Sequence, residues 1–241
     1  MPEVIHVSII LPVLTPNNDF VRCIASIRAA LQNKIKYEIL CISRNESSFK
    51  EFINSDFQFI QERKSGIYAA MNQGVENANG NYLYFIGQDD LLLPSAAKAI
   101  IDGLNSKADL ILSDVFWGSQ EIYKNFSALQ FLVWKNWCHQ GILYNRKKFI
   151  ESVHEYPVQY KVQADHYVNI VFSRIQNLKV YKFKGCIAWY SSDGFSSRNI
   201  DSNFRKDFPN LIRKHYGILN YFIVLARRLI LVLFKLTQKI Q

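Results

Sequence analysis

The sequence predicts an α/β fold built on a mostly parallel sheet flanked by helices, with an amphipathic helical segment at its C-terminal end. Three observations carry this prediction. Strand-like and helix-like stretches alternate through the first half of the chain. The strand-like stretches are unbroken apolar runs, as expected of strands buried on both faces. The chemically richest residues fall just after those runs, at the carboxyl ends of strands, where open α/β sheets bind their ligands.

Val7 to Leu14 (VSIILPVL) is the first such run. Helical spacing follows from Asn17 to Gln32, with Phe20, Ile24, Ile27 and Leu31 on one face. Tyr37 to Ile42 is a second strand, Ser47 to Asn54 a short helix and Phe57 to Ile60 a third strand. Gly66 to Asn77 is helical, with Ser65 as the expected N-cap. Tyr82 to Ile86 is a fourth strand that ends in Gly87-Gln88-Asp89-Asp90. Pro94 opens a helix through Leu104, since proline suits a first helical turn, and Leu110 to Leu112 begins another strand. The second half is less regular. Ser127 to Trp137 and Ala164 to Arg174 are expected as helices, and His139 to Arg146 and Leu178 to Tyr190 as strands. With no internal repeat and no linker, residues 1–215 form one expected domain, followed by a helical segment over 216–241.

Composition narrows the function classes. Nearly half of the 241 residues are apolar and a fifth are charged, which suits a packed core and excludes disorder. The 17 Phe, 13 Tyr and 4 Trp fit a well-filled core or a sugar- or membrane-facing surface. The net charge of +9 favours anionic partners, but no basic strip interleaved with stacking aromatics marks a nucleic-acid track, so no nucleic-acid partner is expected. Cys23, Cys41, Cys138 and Cys186 are far apart, which predicts neither a zinc site nor a disulfide framework and fits a reducing compartment. Met1-Pro2-Glu3 runs straight into a strand pattern, without the pattern of a secretory signal.

Three groups of residues carry chemistry. Asp89-Asp90 ends a buried strand at the ligand edge. Two carboxylates there suit a hard divalent cation that shares its coordination with substrate phosphates; the alternative is a polar turn capping the next helix. Asp165, in Gln163-Ala164-Asp165-His166-Tyr167, heads a predicted helix and is either a cap or a general base. His139-Gln140 stands at the start of a predicted strand and is either structural or part of a site.

Together these pieces resemble the family 2 glycosyltransferases of GT-A fold, and most closely the bacterial branch that builds colanic acid, O-antigen and capsule. Ser65-Gly66-Ile67-Tyr68-Ala69-Ala70-Met71-Asn72-Gln73-Gly74 matches that branch's D-K-G-I-Y-D-A-M-N-K-G, and the strand ending in Asp89-Asp90 matches its N-S-D-D. His139-Gln140 matches H-Q-[ST]-x-F, Ala164-Asp165-His166 matches A-D-Y, and Gly194-Phe195-Ser196-Ser197 matches G-[IV]-S-S. The likeness runs over roughly residues 5 to 200 with the motifs in order. It implies an inverting, metal-dependent transfer of a hexosyl group from a nucleotide-diphosphate-sugar to a saccharide or lipid-linked acceptor in surface polysaccharide synthesis. Asp89 and Asp90 would hold Mn²⁺ or Mg²⁺ and the donor diphosphate. Asp165 would be the general base. His139, the second catalytic candidate, would line the donor–acceptor pocket together with Gln140. Gly66, Tyr68 and Asn72 would shape the nucleotide side, and Arg63 would add positive charge to it or remain a solvated surface group.

The chain departs from this pattern in places. Ser43-Arg44-Asn45-Glu46-Ser47 lacks the aspartate that the family places after the second strand to contact base and ribose, and Gly87 stands at the first position of the D-x-D. A catalytically inactive nucleotide-sugar-binding module on the same fold is therefore the second reading. A nucleotidyltransferase would show a Gly-rich loop after the first strand, which Pro12-Val13-Leu14-Thr15-Pro16 is not.

Ile218 to Gln241 is apolar and basic. On a helix, Ile218, Phe222, Leu225, Leu229, Val232, Leu233, Leu236 and Ile240 share one face, and Arg228, Lys235 and Lys239 another. Interruption by Arg227-Arg228 argues against a bilayer span and for a helix lying on an anionic membrane surface, with packing on the domain or on a second copy as the alternative. The expected location is cytoplasmic, peripheral on the inner face of the cell membrane; oligomerisation stays open.

Overall fold

The computed structural model describes residues 4–119, 121–191 and 199–237, with side chains of the last helix described as far as Leu231. Its elements in chain order are β1 (Val7–Pro12), α1 (Asn18–Leu31), β2 (Tyr37–Ser43), a 3₁₀ helix (Glu46–Phe52), β3 (Phe57–Gln61), α2 (Ile67–Asn77), β4 (Tyr82–Phe85), β5 (Leu91–Leu92), α3 (Ser95–Asn105), β6 (Leu110–Trp117) and β7 (Glu121–Tyr123). Two 3₁₀ turns follow at Leu129–Val133 and His139–Gly141, then β8 (Ile142–Asn145), α4 (Arg146–Ser152), α5 (Ala164–Phe172), β9 (Val180–Tyr190), α6 (Ser202–Tyr216) and α7 (Ile218–Thr237).

One sheet runs β3-β2-β1-β4-β8-β6-β9-β5, with β7 paired to β6. The four strands from β3 to β4 are parallel, and the mostly apolar β1, β2 and β4 suit strands covered on both faces. Beyond β4 the sheet is mixed. β8 runs antiparallel to both β4 and β6, whereas β9 is parallel to β6. Helices α1 and α3 cover one face through Phe20, Ile24, Ile27, Ala96 and Ile100. The other face is packed by α2, α4 and α5, with an aromatic cluster of Tyr68, Phe85, Tyr144, Phe149, Tyr156 and Phe172. Many of the chain's aromatics are thus spent on filling the core.

Several elements differ from expectation, each for a local reason. Ser65 does not cap α2. The cap position is Gly66, held at φ +124°, a conformation that L side chains rarely adopt, while the Ser65 hydroxyl accepts from Arg44 at 2.6 Å. The predicted helix over 127–137 is only the 3₁₀ turn Leu129–Val133, because side chains claim the flanking backbone: Trp137 Nε1 donates to the Phe126 carbonyl at 2.8 Å. His139 lies in a 3₁₀ turn and the strand begins at Ile142. Helices α4 and α6 were not anticipated; α6 carries Pro209 in its interior and a run of basic residues, which masks its periodicity. In α7, Val224 and Leu225 turn inward towards α6, and Arg228 donates to the Arg205 carbonyl of α6, so Leu225 and Arg228 leave the faces assigned to them. Ile218, Leu219, Phe222, Ile223, Leu229, Ile230 and Leu231 remain exposed. Lys235, Lys239 and the apolar side chains after Leu231 lie outside the described side chains.

Candidate active site

The turn Gly87-Gln88-Asp89-Asp90 leaves the carboxyl end of β4 in the middle of the sheet. Asp90 is 1% exposed and all its contacts are structural. Its Oδ2 accepts from the Gly87 N–H at 3.1 Å and from Gln140 Nε2 at 2.7 Å, and its Oδ1 accepts from the Ser191 N–H at 3.0 Å. One carboxylate therefore closes its own turn and joins β4, the His139–Gly141 turn and the end of β9. Burial, and then the neighbouring charge of Asp89, push its pKa up to about 7. Asp89 stays partly exposed, and burial raises its pKa as well, with Asp19 of α1 adding repulsion.

Gly87 explains why the two acids can look at one space. A Cβ at this position would lie 2.8 Å from Asp89 Oδ1 and 2.9 Å from Asp90 Oδ2. A paired, partly desolvated oxygen set of this kind fits a hard divalent cation. Among the described residues no group of three or more His, Cys, Asp or Glu could hold a metal, so the donor phosphates and water would complete the coordination.

Asp165 lies in the first turn of α5 and is partly buried. Asn136 Nδ2 donates to its Oδ2 at 2.7 Å, and the peptide N–H of His166 and the Tyr68 hydroxyl also favour the anion. Burial outweighs them and raises its pKa to about 6, so the group is mostly a carboxylate at pH 7 yet basic enough to take a proton. Asn136 is itself fixed: its Oδ1 accepts from Asn169 at 2.8 Å, and Asn169 accepts from the Tyr144 hydroxyl. The chain entering α5 is clamped by Asp201, the N-cap of α6, which accepts from the N–H groups of Val162 at 3.0 Å and Gln163 at 3.3 Å.

A single segment grips both acidic centres. Asn136 holds Asp165 and Gln140 holds Asp90, and the four Cα steps from 136 to 140 span at most about 14 Å when extended. The 3₁₀ turn at His139–Gly141 shortens that reach. Between them sits the Cys138 thiol, which donates to Gln140 Oε1 at 3.1 Å and whose pKa is raised by burial and by the charges of both Asp90 and Asp165.

The other residues singled out by sequence fall in different places. His139 is partly buried on the same segment, and burial lowers its pKa to about 4, leaving the imidazole neutral. Gly66 sets the sharp entry into α2. Tyr68 stacks on Tyr156 and donates to the Val162 carbonyl at 2.6 Å, which places it in the wall beside Asp165. Asn72 exchanges two hydrogen bonds with the Tyr156 backbone, at 2.9 and 2.7 Å, and pins the loop before α5 to α2. Arg63 is exposed and pairs with Glu76 of α2. Gly194-Phe195-Ser196-Ser197 lies outside the described residues. Sequence reasoning missed Asn136, Asn169 and Asp201. Asp201 alone left a signal, as an Asp-Ser-Asn cap signature before the apolar Phe204 and Phe208.

Comparison with known proteins bears on this geometry. Residues 8–181 match the family model described as Glycosyl transferase family 2. The chain is 31% identical over 179 residues to PGL/p-HBAD biosynthesis glycosyltransferases of Mycobacterium bovis and Mycobacterium tuberculosis, an alignment that covers 70% of this chain and 66% of theirs. It is 28% identical over 91 residues to the glycosyltransferase AglE of Haloferax volcanii, covering 34% of this chain and 30% of that one. Among solved structures, TarS of S. aureus in complex with UDP-GlcNAc superposes with a TM-score of 0.69 at 12% identity, over 87% of this chain and 65% of that one. The chain thus spans just under two thirds of the length of these mycobacterial proteins and of the TarS 1–349 chain, and 38% of the longer TarS chain.

Proposed function

The chain belongs to glycosyltransferase family 2, and on that premise we propose that it transfers a sugar, with inversion, from a nucleotide-diphosphate-sugar to a hydroxyl of a saccharide or lipid-linked acceptor. The observation that supports this reading is the shared grip of residues 136–140 on Asp165 and Asp90, which ties the proposed proton acceptor to the acidic turn after β4. Asp165 takes the proton of the acceptor hydroxyl as its oxygen bonds to the anomeric carbon. The bond from that carbon to the diphosphate oxygen breaks on the opposite face, and the nucleoside diphosphate leaves with the electron pair. Asn136 and the start of α5 orient the carboxylate. Neutral His139 and Gln140 line the space between donor and acceptor, and Gly66 and Arg63 border the nucleotide side. Mn²⁺ or Mg²⁺ held by Asp89, with Asp90 behind it, would stabilise the charge on the departing diphosphate.

The sequence resemblance supports a saccharide or lipid-linked acceptor in surface polysaccharide synthesis, and the mycobacterial relatives are named for PGL/p-HBAD biosynthesis. The exposed face of α7 supports work at the inner face of the cell membrane. The test is a donor screen read by released nucleoside diphosphate, with and without Mn²⁺, and with the anomeric configuration of the product determined by NMR. Metal-stimulated release and an inverted product are expected.

One observation favours the second reading, an inactive binding module. After β2 the stretch Ser43-Arg44-Asn45-Glu46-Ser47 lacks the aspartate expected to contact the base, and its Arg44 is bound to Glu62 at 2.6 Å and to Ser65. Tight nucleotide-sugar binding without turnover of any donor would select that reading.

A further inference from the structure

The exposed face of α7 does not stand alone. Phe126, Phe131 and Trp134, from the irregular segment after β7, are 42%, 47% and 49% exposed, an unusual position for three large rings on neighbouring turns. Phe126 and Phe131 stack with centroids 5.1 Å apart. Helix α7 is joined to this segment: the Arg227 guanidinium lies 5.5 Å over the Trp134 ring and donates to the Trp134 carbonyl at 3.3 Å. At the end of α6 the Tyr216 hydroxyl donates to the Leu129 carbonyl at 3.0 Å. The aromatic shelf and the outer residues of α7, with Leu219, Phe222 and Ile230 exposed, are therefore continuous.

We propose that this shelf and α7 form one surface that docks on an anionic bilayer and holds the catalytic cleft at the lipid interface. The inference rests on the transferase reading only for its purpose; the docking is a physical property of the chain. Charge selects the occupant. Residues 208–241 contain Arg213, Lys214, Arg227, Arg228, Lys235 and Lys239 and no acid, and residues 122–138 contain Lys124 and Lys135 and no acid. Apolar and aromatic side chains framed by cations suit phosphate headgroups above acyl chains. A symmetric pair of copies would instead press the same cationic face against itself. Among the described residues no helix is long and apolar enough to cross a membrane, which fits a surface that rests in the interface.

The shelf also fixes orientation. Trp134 is two residues from Asn136, whose amide holds Asp165. Docking through Trp134 brings the base close to the headgroup layer, where the hydroxyl of a lipid-linked acceptor is presented. A helix acting as a loose tether would not do this.

The experiment is flotation of the full chain with vesicles of phosphatidylcholine alone and of phosphatidylcholine with 30 mol% phosphatidylglycerol, the latter fraction on the order used to mimic anionic leaflets. Wild type is compared with the double variant Phe131→Ser, Trp134→Ala, which leaves α7 intact. The anionic vesicles are expected to carry the wild type and the neutral ones are not. The double variant is expected to bind at least about tenfold more weakly with an unchanged far-UV spectrum and melting temperature, since both side chains are exposed. Bromolipid quenching of tryptophan emission is expected to fall in Trp134→Phe, placing that ring in the interface. Unchanged flotation of the double variant would reduce the surface to a helix tether and overturn the proposal. Concentration-dependent dimers without vesicle binding would assign the face to a second copy and overturn it equally. Turnover on a soluble acceptor is scored separately, so loss of docking and failure of the transferase reading remain distinguishable.

Discussion

The turn after β4 and the start of α5 each carry a withdrawn carboxylate, yet they hold it in different ways. Asp90 is wrapped mainly by backbone: two of its three donors are peptide N–H groups and the third is Gln140. Asp165 depends on a side chain brought from afar, Asn136, added to the first turn of its helix. Burial raises both pKa values, to about 7 and about 6. The comparison separates a structural acid from the two proposed to act. Asp90 has its oxygens occupied and works as a strut, whereas Asp89 and Asp165 stay partly exposed, as the proposed metal ligand and base would need to be.

The largest effect expected from this contrast is at Asp165. Asp165→Asn keeps the size and the contact with Asn136 but cannot take a proton, so kcat should fall by about 10²–10⁴ with donor affinity by calorimetry nearly unchanged. A variant of near-wild-type rate would remove this residue from the base role. Next come the two neighbouring acids. Asp89→Asn should abolish the metal response of donor binding with little change in melting temperature. Asp90→Ala leaves three donors unpaired at a buried position, a loss of about 1–3 kcal/mol, which lowers the melting temperature by several degrees. If both variants lose donor binding at equal stability, the distinction between strut and ligand is wrong.

A smaller effect sharpens the second region. Transfer should rise with pH through about 6 and level off above it, because Asp165 must be deprotonated to act. Asn136 favours the anion, so Asn136→Ala should move that inflection to higher pH, costing several-fold in rate at pH 6 and little at pH 8. A uniform loss at every pH would make Asn136 merely structural. The smallest effect belongs to Arg63, whose exposed pair with Glu76 should contribute no more than about 0.5 kcal/mol. Melting of Arg63→Ala within error of wild type checks this.

The same division explains what the sequence revealed. The parallel half was legible because strands buried on both faces are mostly apolar. Val7–Pro12 and Tyr37–Ser43 follow that rule apart from Ser8, Glu38 and Ser43, the first two of which bond to each other. Asp89, Asp90 and Asp165 could be picked out because each stands where a strand ends or a helix begins. The second half resisted because its order rests on single side chains: Trp137 holds the Phe126 carbonyl and Asn125 the Cys138 and Ser113 carbonyls, so both ends of the 127–137 stretch are fixed by long-range contacts. Asn136 and Asn169 lie 33 residues apart in the chain, a separation at which no periodicity records their pairing. Helix α6 was hidden by Pro209 and its basic run.

The stretch from Asn136 to Gln140 has one more consequence. Because it fastens an acid at each end, its length is a gauge that sets how far apart the two halves of the reaction stand. Gaining or losing one residue would change that gauge by a whole step, whereas an exchange keeps it even where burial of Trp137 and Cys138 makes the exchange costly in stability. An insertion or deletion in this stretch should therefore cost function beyond any loss of stability.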